Sequence, residues 1–254
     1  MKTISEELVR VLRNAKNVVV FTGAGVSAES GIPTFRDALT GLWERFDPQE
    51  LATPEAFMTN PDLVWGWYEW RRALVTNCRP NPAHLAIAEL QRFVPEVHVI
   101  TQNVDNLHER AGSENVIHVH GSLHHPICSS CRTPFHIHET IDVTVEKERK
   151  IEPPKCDSCQ GLIRPGVVWF GEPMPEQPWH IAQHKVLNCD LFFSIGTSSI
   201  VFPAAGLPIT AHENGACVVQ VNPHSTGIEN VLDYNLVGKA GELLPQLVDL
   251  AFRN

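Results

Sequence analysis

The stretch Asn17-Val-Val-Val-Phe-Thr-Gly-Ala-Gly-Val-Ser-Ala28 sets the fold class. Its first half is a short apolar strand rich in valine. Its second half, Gly23-Ala24-Gly25-Val26-Ser27-Ala28, is the G-x-G-x-x-[GA] pattern, placed directly after a strand and before a short helix. Glycine there lets backbone N–H groups approach a pyrophosphate, with the helix N-terminus facing its negative charge. The pattern alone is a weak signal. The strand in front of it turns it into a reading of nucleotide binding. One customary piece is missing: no second strand ends in an acid about 20 residues on, where the ribose-binding carboxylate of a Rossmann fold belongs. Ser30 to Asp47 is instead a loop with Pro33, Arg36, Asp37 and Gly41, a composition that suggests a mobile flap.

Outward from this stretch the chain keeps an α/β rhythm. Ile4 to Asn14 has helical spacing. Asn60-Pro61 and Asn81-Pro82 each pair a cap residue with proline at the first helical position, and predict helices to about Cys78 and Phe93. Leu63, Trp67, Trp70 and Leu74 form the apolar stripe expected of the first, with Tyr68 and Arg71 sharing another face. Apolar runs at Val97–Thr101, Val116–His120, Val167–Phe170, Asp190–Ile195 and Ala216–Val221 read as strands. They empty into Gln102-Asn103-Val104-Asp105, Gly121, Gly171-Glu172, Gly196-Thr197-Ser198 and Asn222. Four or five such strands, separated mainly by helices, predict a parallel doubly wound sheet with binding groups at the strands' carboxyl ends. His120, at the end of one run, is the natural centre of chemistry. Glu242 to Phe252 closes the chain as a helix.

The 254 residues are enough for a substantial core. A formal net charge of -9 argues against a general binder of nucleic acid or anionic membrane. No apolar run approaches the roughly 18 residues of a membrane span, and Met1 to Asn14 lacks the apolar core of a signal peptide. The expected setting is cytosolic, with thiols reduced. Cys128-x-x-Cys131 and Cys156-x-x-Cys159 interrupt the α/β rhythm between Gly121 and Arg164. Paired short chelates of this kind give four thiolates in tetrahedral geometry, a closed structural zinc site with no position for substrate. Cys78, Cys189 and Cys217 fall on apolar patterns as buried thiols.

Taken in order, Gly23-Ala24-Gly25-Val26-Ser27, Phe35-Arg36, Thr101-Gln102-Asn103-Val104-Asp105-Asn106-Leu107-His108, His120-Gly121, the two Cys-x-x-Cys pairs, Gly196-Thr197-Ser198 and Asn222 resemble the motif series of the sirtuins, the NAD-dependent protein-lysine deacylases. The resemblance covers nearly the whole chain. It implies a Rossmann-like NAD domain (1–37, 80–120 and 166–254). It also implies a small domain made of a helical module (38–79) and a four-cysteine zinc module (121–165), with NAD and acyl-lysine meeting between them. The family's distorted dinucleotide site also accounts for the missing ribose acid.

The resemblance further implies that Gly23, Ala24, Gly25, Ser27, Ala28, Phe35, Arg36, Asp37 and Trp43 bind the cofactor around the diphosphate and nicotinamide ribose, with Ile32 near the nicotinamide pocket. Gln102, Asn103 and Asp105 would face the ribose and nicotinamide, and Gly196, Thr197, Ser198, Asn222 and Ala240 the adenosine half. His120, with Asn103, would be catalytic: the acyl oxygen displaces nicotinamide at the ribose carbon, then a ribose hydroxyl that gives its proton to His120 attacks the imidate carbon, and the products are nicotinamide, free lysine and acylated ADP-ribose. Val168, Phe170, Gly171 and Glu172 would line the substrate groove, where an extended peptide can add as a strand. Ala52, Tyr68 and Arg71 resemble the class that removes succinyl, malonyl and glutaryl groups, since a guanidinium binds a carboxylate through two parallel hydrogen bonds. Acylated protein lysines are then the partners, and the chain is expected to act as a monomer without nucleic acid or membrane.

Two other readings remain open on the residues alone. His118-x-His120 with Asp105 or His108 could hold a hydrolytic metal. The same cleft could serve a non-catalytic NAD or ADP-ribose sensor. His118 itself reads as a packing residue, and His124, His125, His136 and His138 as surface or packing residues near the zinc lobe.

Overall fold

The computed structural model describes residues 4–34, 51–137 and 150–253. The loop residues Phe35, Arg36, Asp37 and Trp43, named above for the cofactor, lie outside them, as does His138. In chain order the elements are α1 (Glu6–Asn14), β1 (Asn17–Thr22), α2 (Ala24–Ala28), α3 (Pro54–Thr59), α4 (Pro61–Asn77), α5 (Pro82–Phe93), β2 (Glu96–Thr101), α6 (Leu107–Arg110) and β3 (Val116–His118). They continue with β4 (Gly121–Cys128), β5 (Ile163–Val167), α7 (Glu176–Leu187), β6 (Leu191–Ile195), α8 (Leu207–Glu213), β7 (Cys217–Asn222), β8 (Tyr234–Val237) and α9 (Ala240–Phe252).

β1 sits centrally because Val18, Val19, Val20 and Phe21 are buried on both faces. β2 and β6 flank it, both parallel, giving a six-stranded sheet in the order β3-β2-β1-β6-β7-β8. Counted along the chain within that sheet, this is the 3-2-1-4-5-6 order of dinucleotide-binding folds. The order reverses between β1 and β6, so the crevice beyond their carboxyl ends is where such a fold places its ligand. One face of the sheet packs Val18, Val20, Val99 and Phe193 against α1, α5 and α9 through Leu8, Leu12, Ile87 and Leu247. The other packs Val19, Phe21 and Phe192 against α7 and α8 through Val186 and Ala211. The parallel doubly wound class is therefore present.

A second sheet, of β4 and β5, is antiparallel and includes Cys128, the first of the four clustered cysteines. It shares a core with α3 and α4 made of Phe57, Val64, Trp67, Tyr68, Leu123, Val167 and Trp169. Trp65, one turn from Tyr68 on α4, packs instead on Cys128, Cys156 and Ile163. α4 is thus wedged between two apolar clusters and buried nearly all round. This corrects the expected stripe: Trp67 is fully buried, but Leu63, Trp70 and Leu74 are only partly so. The arginine of α6 closes the other end of this helix, donating from Arg110 to Val75 O at 3.1 Å and Cys78 O at 2.5 Å.

Two strand expectations need correction, and one strand was not expected. Val116–His120 ends at His118, and Val119–His120 is a turn. Gly121 (φ +74°) opens β4, and a Cβ there would lie 2.1 Å from Gly166 O. This close approach of β5 bends the chain out of the main sheet and lifts His120 clear of it. Val167 is the last residue of antiparallel β5, so Val167–Phe170 is not a strand of the parallel sheet. The edge strand β8, four residues long and half exposed, had no apolar run to announce it. Of the three remaining cysteines Cys189 is buried, while Cys78 and Cys217 are partly exposed.

Candidate active site

The carboxyl ends of β1, β2 and β6 bring the expected cofactor residues together. Ser27 Oγ donates to Asp105 Oδ2 at 2.9 Å, and Asn103 Nδ2 donates to Ser27 Oγ at 3.0 Å and to Gly23 O at 3.1 Å. Gln102 Nε2 donates to Thr197 Oγ1 at 2.8 Å, and Asn222 Nδ2 to Thr197 O at 2.8 Å. Residues from four loops are thus wired to one another before any ligand arrives. Burial raises the Asp105 pKa above the carboxylate norm despite donors from Leu107 N and Ser27.

The glycines earn their place differently from the first expectation. A Cβ on Gly25 would lie 2.7 Å from Gly196 O and 2.8 Å from Gly196 Cα, so the β1 and β6 loops meet backbone to backbone. The amides of Gly23 and Gly25 donate to Ile195 O and Gly196 O at 3.0 and 2.8 Å. They build the floor of the crevice and are not free to cradle a phosphate. Side-chain-free backbone on both sides of the switch point, together with the buried hydroxyl of Ser199, which has no partner among the described residues, suits a dinucleotide. Ala24, Ala28, Ile32 and Ser198 border this floor at intermediate exposure. Ala240 lies apart in the core at the start of α9, whose next amide, Gly241 N, donates to Glu29.

His120 is fixed from two sides. Its Nδ1 faces Gln102 O at 3.2 Å, and its carbonyl accepts from Val168 N at 2.9 Å. A carbonyl can only accept, so Nδ1 carries the proton and Nε2 keeps a lone pair. Burial lowers the ring's pKa below the ordinary imidazole value, favouring this neutral form. His118 is no packing residue. Its Nδ1 faces Asn103 O at 3.1 Å and its Nε2 lies 2.6 Å from Glu109 Oε1. Beneath them, His108 Nε2 meets Thr22 Oγ1 at 3.0 Å, and Thr22 donates to Thr101 Oγ1 at 2.9 Å. Among the described residues these side chains do not form a metal-holding cluster: His118 is committed at both nitrogens and Asp105 to Ser27 and Leu107 N, and the four cysteines are the one group so placed.

Where acyl-lysine was expected, Ala52 O accepts from Phe170 N at 2.9 Å, joining the α3 side to the segment after β5. Val168 is partly buried, and Phe170 and Gly171 are exposed. Glu172 does not simply line a groove. It takes two hydrogen bonds from the buried Arg164 guanidinium, at 2.5 and 2.8 Å, and one from Trp169 N. Burial acts to raise its pKa, but these donors prevail and lower it. Arg164 also lies 3.5 Å over the Trp169 ring, and Trp169 Nε1 donates to Tyr68 Oη at 2.9 Å. Burial pushes Tyr68 up to about 12, so it stays a phenol. Arg71 lies 4.8 Å over Trp67 and 5.7 Å over Tyr68. Among the described residues its guanidinium has no carboxylate partner. Trp169 was passed over in the sequence because its partner Tyr68 is distant in the chain, and Arg164 because Glu172 and Trp169 meet it only through the fold-back after β5. Ile200, Val201 and Phe202, an exposed apolar run just beyond Ser199, were passed over too.

Cys128, Cys131, Cys156 and Cys159 place their sulfurs within 4.8 Å of one another, with Cys128–Cys159 at 3.4 Å and Cys131–Cys156 at 3.7 Å. Four thiolates at about 2.3 Å from one zinc would stand about 3.8 Å apart. The donor set and spacing fit a single structural zinc, and among the described residues no other cluster of His, Cys, Asp or Glu is placed to hold a metal ion.

Residues 23–203 match the family model described as the Sir2 family. The chain is 54% identical to the NAD-dependent protein deacylase of Methylococcus capsulatus, covering 98% of each chain. It is also 54% identical to NAD-dependent protein deacylase 1 of Pseudomonas aeruginosa, over 96% of this chain and 98% of that one. A solved Sir2 homologue–NAD complex matches with a TM-score of 0.90 and 46% identity, over 99% of this chain and 95% of that one. Sir2Af2 bound to a myristoylated histone peptide matches with a TM-score of 0.77 and 36% identity, over 97% and 95%.

Proposed function

Because the chain belongs to the Sir2 family and is an NAD-dependent protein deacylase, we propose that its preferred substrates are lysines carrying acyl chains that end in a carboxylate, succinyl and malonyl, with acetyl-lysine also accepted. The observation that carries this reading is Arg71: a cation set among aromatic rings, with no carboxylate partner among the described residues. Burial lowers its pKa against the opposing pull of Tyr68 and Asp105, and a substrate carboxylate would supply a direct ion-pair partner. Tyr68, its oxygen already accepting from Trp169, has its own proton to give to the same carboxylate. Ala52 leaves room for the longer chain.

In this reading the crevice between 1–37, 80–120 and 166–254 on one side and 38–79 and 121–165 on the other takes both substrates. NAD, when bound, supplies the ribose carbon that accepts the acyl oxygen as nicotinamide leaves, and the ADP-ribose that carries the acyl group away. Gly23, Gly25, Ser27, Gly196, Thr197, Ser198 and Asn222 would hold it, and Gln102, Asn103 and Asp105 would orient the ribose. His120 receives a proton at Nε2, with Nδ1 anchored on Gln102 O. An extended peptide would lie along the exposed Phe170 and Gly171, since the amides of Val168, Trp169 and Phe170 are already committed within the chain. The four cysteines hold one zinc that braces β4 and β5 and does no chemistry. The test is a mass-spectrometric assay with NAD and matched acetyl-, malonyl- and succinyl-lysine peptides. Removal of succinyl and malonyl at least as efficient as that of acetyl supports the proposal, and turnover of acetyl alone refutes it.

A further inference from the structure

The segment His118-Val119-His120 aims two imidazoles at one loop. His120 Nδ1 faces Gln102 O at 3.2 Å, and His118 Nδ1 faces the next carbonyl, Asn103 O, at 3.1 Å. The rings differ in what lies at Nε2. Among the described residues His120 meets no acceptor there, whereas His118 meets Glu109 Oε1 at 2.6 Å. A ring with an acceptor at each nitrogen needs a proton at each. His118 is therefore built to be an imidazolium and His120 a neutral base.

We propose that His118, held by Glu109, is a positioning residue for the cosubstrate: its charged Nδ1–H fixes the Asn103 carbonyl and so sets the loop that presents Asn103 and Asp105. This rests on the reading above that the loop faces NAD. The field around the ring agrees. Glu109 on α6 and Asp105 on the loop favour the cation; His108, buried on α6, is neutral and burial holds it so. From β4, His125 acts on Glu109, and Arg72, Arg110 and Glu109 act on His124. Burial alone would depress His118, but the Glu109 hydrogen bond and charge outweigh it and its pKa is raised. Above that pKa the bare Nε2 would face the Glu109 carboxylate, and the clamp would loosen.

The experiment follows the two rings by NMR titration and NAD binding by calorimetry across pH. His118 should titrate above pH ~6.5 and His120 below it. In Glu109→Gln, a change at a half-exposed side chain, the His118 midpoint should fall by about 1 unit or more. Wild-type affinity for NAD should weaken as pH rises through the His118 midpoint. His118→Ala should weaken it on the order of tenfold at lower pH, as for one lost hydrogen bond from a charged donor. His118→Asn, whose amide can occupy the Nδ1 position, should recover most of the affinity and lose the pH dependence. A reversed titration order, or unchanged NAD affinity in His118→Ala, would overturn the inference. So would an Asn variant no better than Ala. Absence of NAD binding in the wild type would instead strike the functional reading, and the titration order would still decide the charge assignment.

Discussion

The indole N–H of Trp169 points at the hydroxyl of Tyr68, 2.9 Å away. A donor on one side of that oxygen turns the phenol proton toward the other. Trp169→Phe removes the donor while keeping an aromatic, though smaller, side chain. It should raise KM for succinyl-lysine several-fold, the scale of one neutral hydrogen bond of about 1 kcal/mol, with little effect on acetyl-lysine. Arg71→Met should cost about one to two orders of magnitude in kcat/KM for succinyl-lysine. Equal losses on both substrates, measured with paired peptides, would show that neither residue reads the carboxylate.

His120 is expected to remain a usable base in mild acid. Its pKa is lowered by burial, so the neutral form persists below the ordinary imidazole range near 6.5. The acid limb of the kcat/KM profile should therefore fall below pH ~6.5. His120→Ala should fold and bind NAD yet release almost no nicotinamide in the presence of acyl-peptide. Near-normal release would remove His120 from the chemistry.

Acid should also loosen the fold at His84. This ring is fully buried, accepts from Asn81 N through Nδ1 at 3.4 Å, and has no partner at Nε2. Burial depresses its pKa to about 4, against about 6.5 in the unfolded chain. A depressed folded pKa means that its contribution is complete above pH 6.5 and is lost as pH falls toward 4. Between pH 7 and 4.5 roughly 2 to 3 kcal/mol of unfolding free energy should disappear. Asp105, raised by burial, acts with the opposite sign. Urea titrations of wild type and His84→Asn at both pH values isolate the effect; identical slopes with pH would contradict it.

The cysteine cluster predicts one zinc per chain by elemental analysis. Cys128 and Cys156 are buried against Trp65 and Ile163, whereas Cys131 and Cys159 are exposed. Replacing Cys156 with Ala should therefore release the metal and disrupt the packing of α4, giving aggregation. A soluble, fully active Cys156→Ala would refute the assignment.

Gly25→Ala should abolish NAD binding more than stability. The new methyl would press on Gly196 O and Cα, and the backbone cannot yield cheaply. The expected stability cost is about 1 to 3 kcal/mol, as for overpacking, with calorimetric NAD affinity lost. Retained affinity would mean that the β6 loop can move aside.

What the chain discloses before folding follows from how local each cause is. β1, β2, β6 and β7 are apolar runs buried on both faces, and each was legible from a few residues. So were the proline-started helices and the paired Cys-x-x-Cys. The turn at His120 was not, because it depends on Gly166 approaching Gly121 from another strand. β8 was hidden because a short edge strand needs no apolar run. Glu172 looked like a free groove residue because its partner, Arg164, reaches it through a fold-back after β5. His118 looked inert for a similar reason: Glu109 meets it only when α6 lies beside β3. The family motifs marked which residues gather at the crevice, but not that the glycine amides would already be committed to Ile195 and Gly196.

That commitment has a consequence for the order in which the molecule can be made. The floor of the crevice joins the first strand's loop to the loop after β6, far along the chain. A ribosome that has released only the first half of the protein has released β1 with one edge still open. Such a nascent chain carries the whole glycine motif but not the surface it rests on. The nucleotide pocket is thus a late product of folding, dependent on a contact of long sequence separation. N-terminal fragments ending before Leu191 should expose a sticky strand edge without gaining any affinity for NAD.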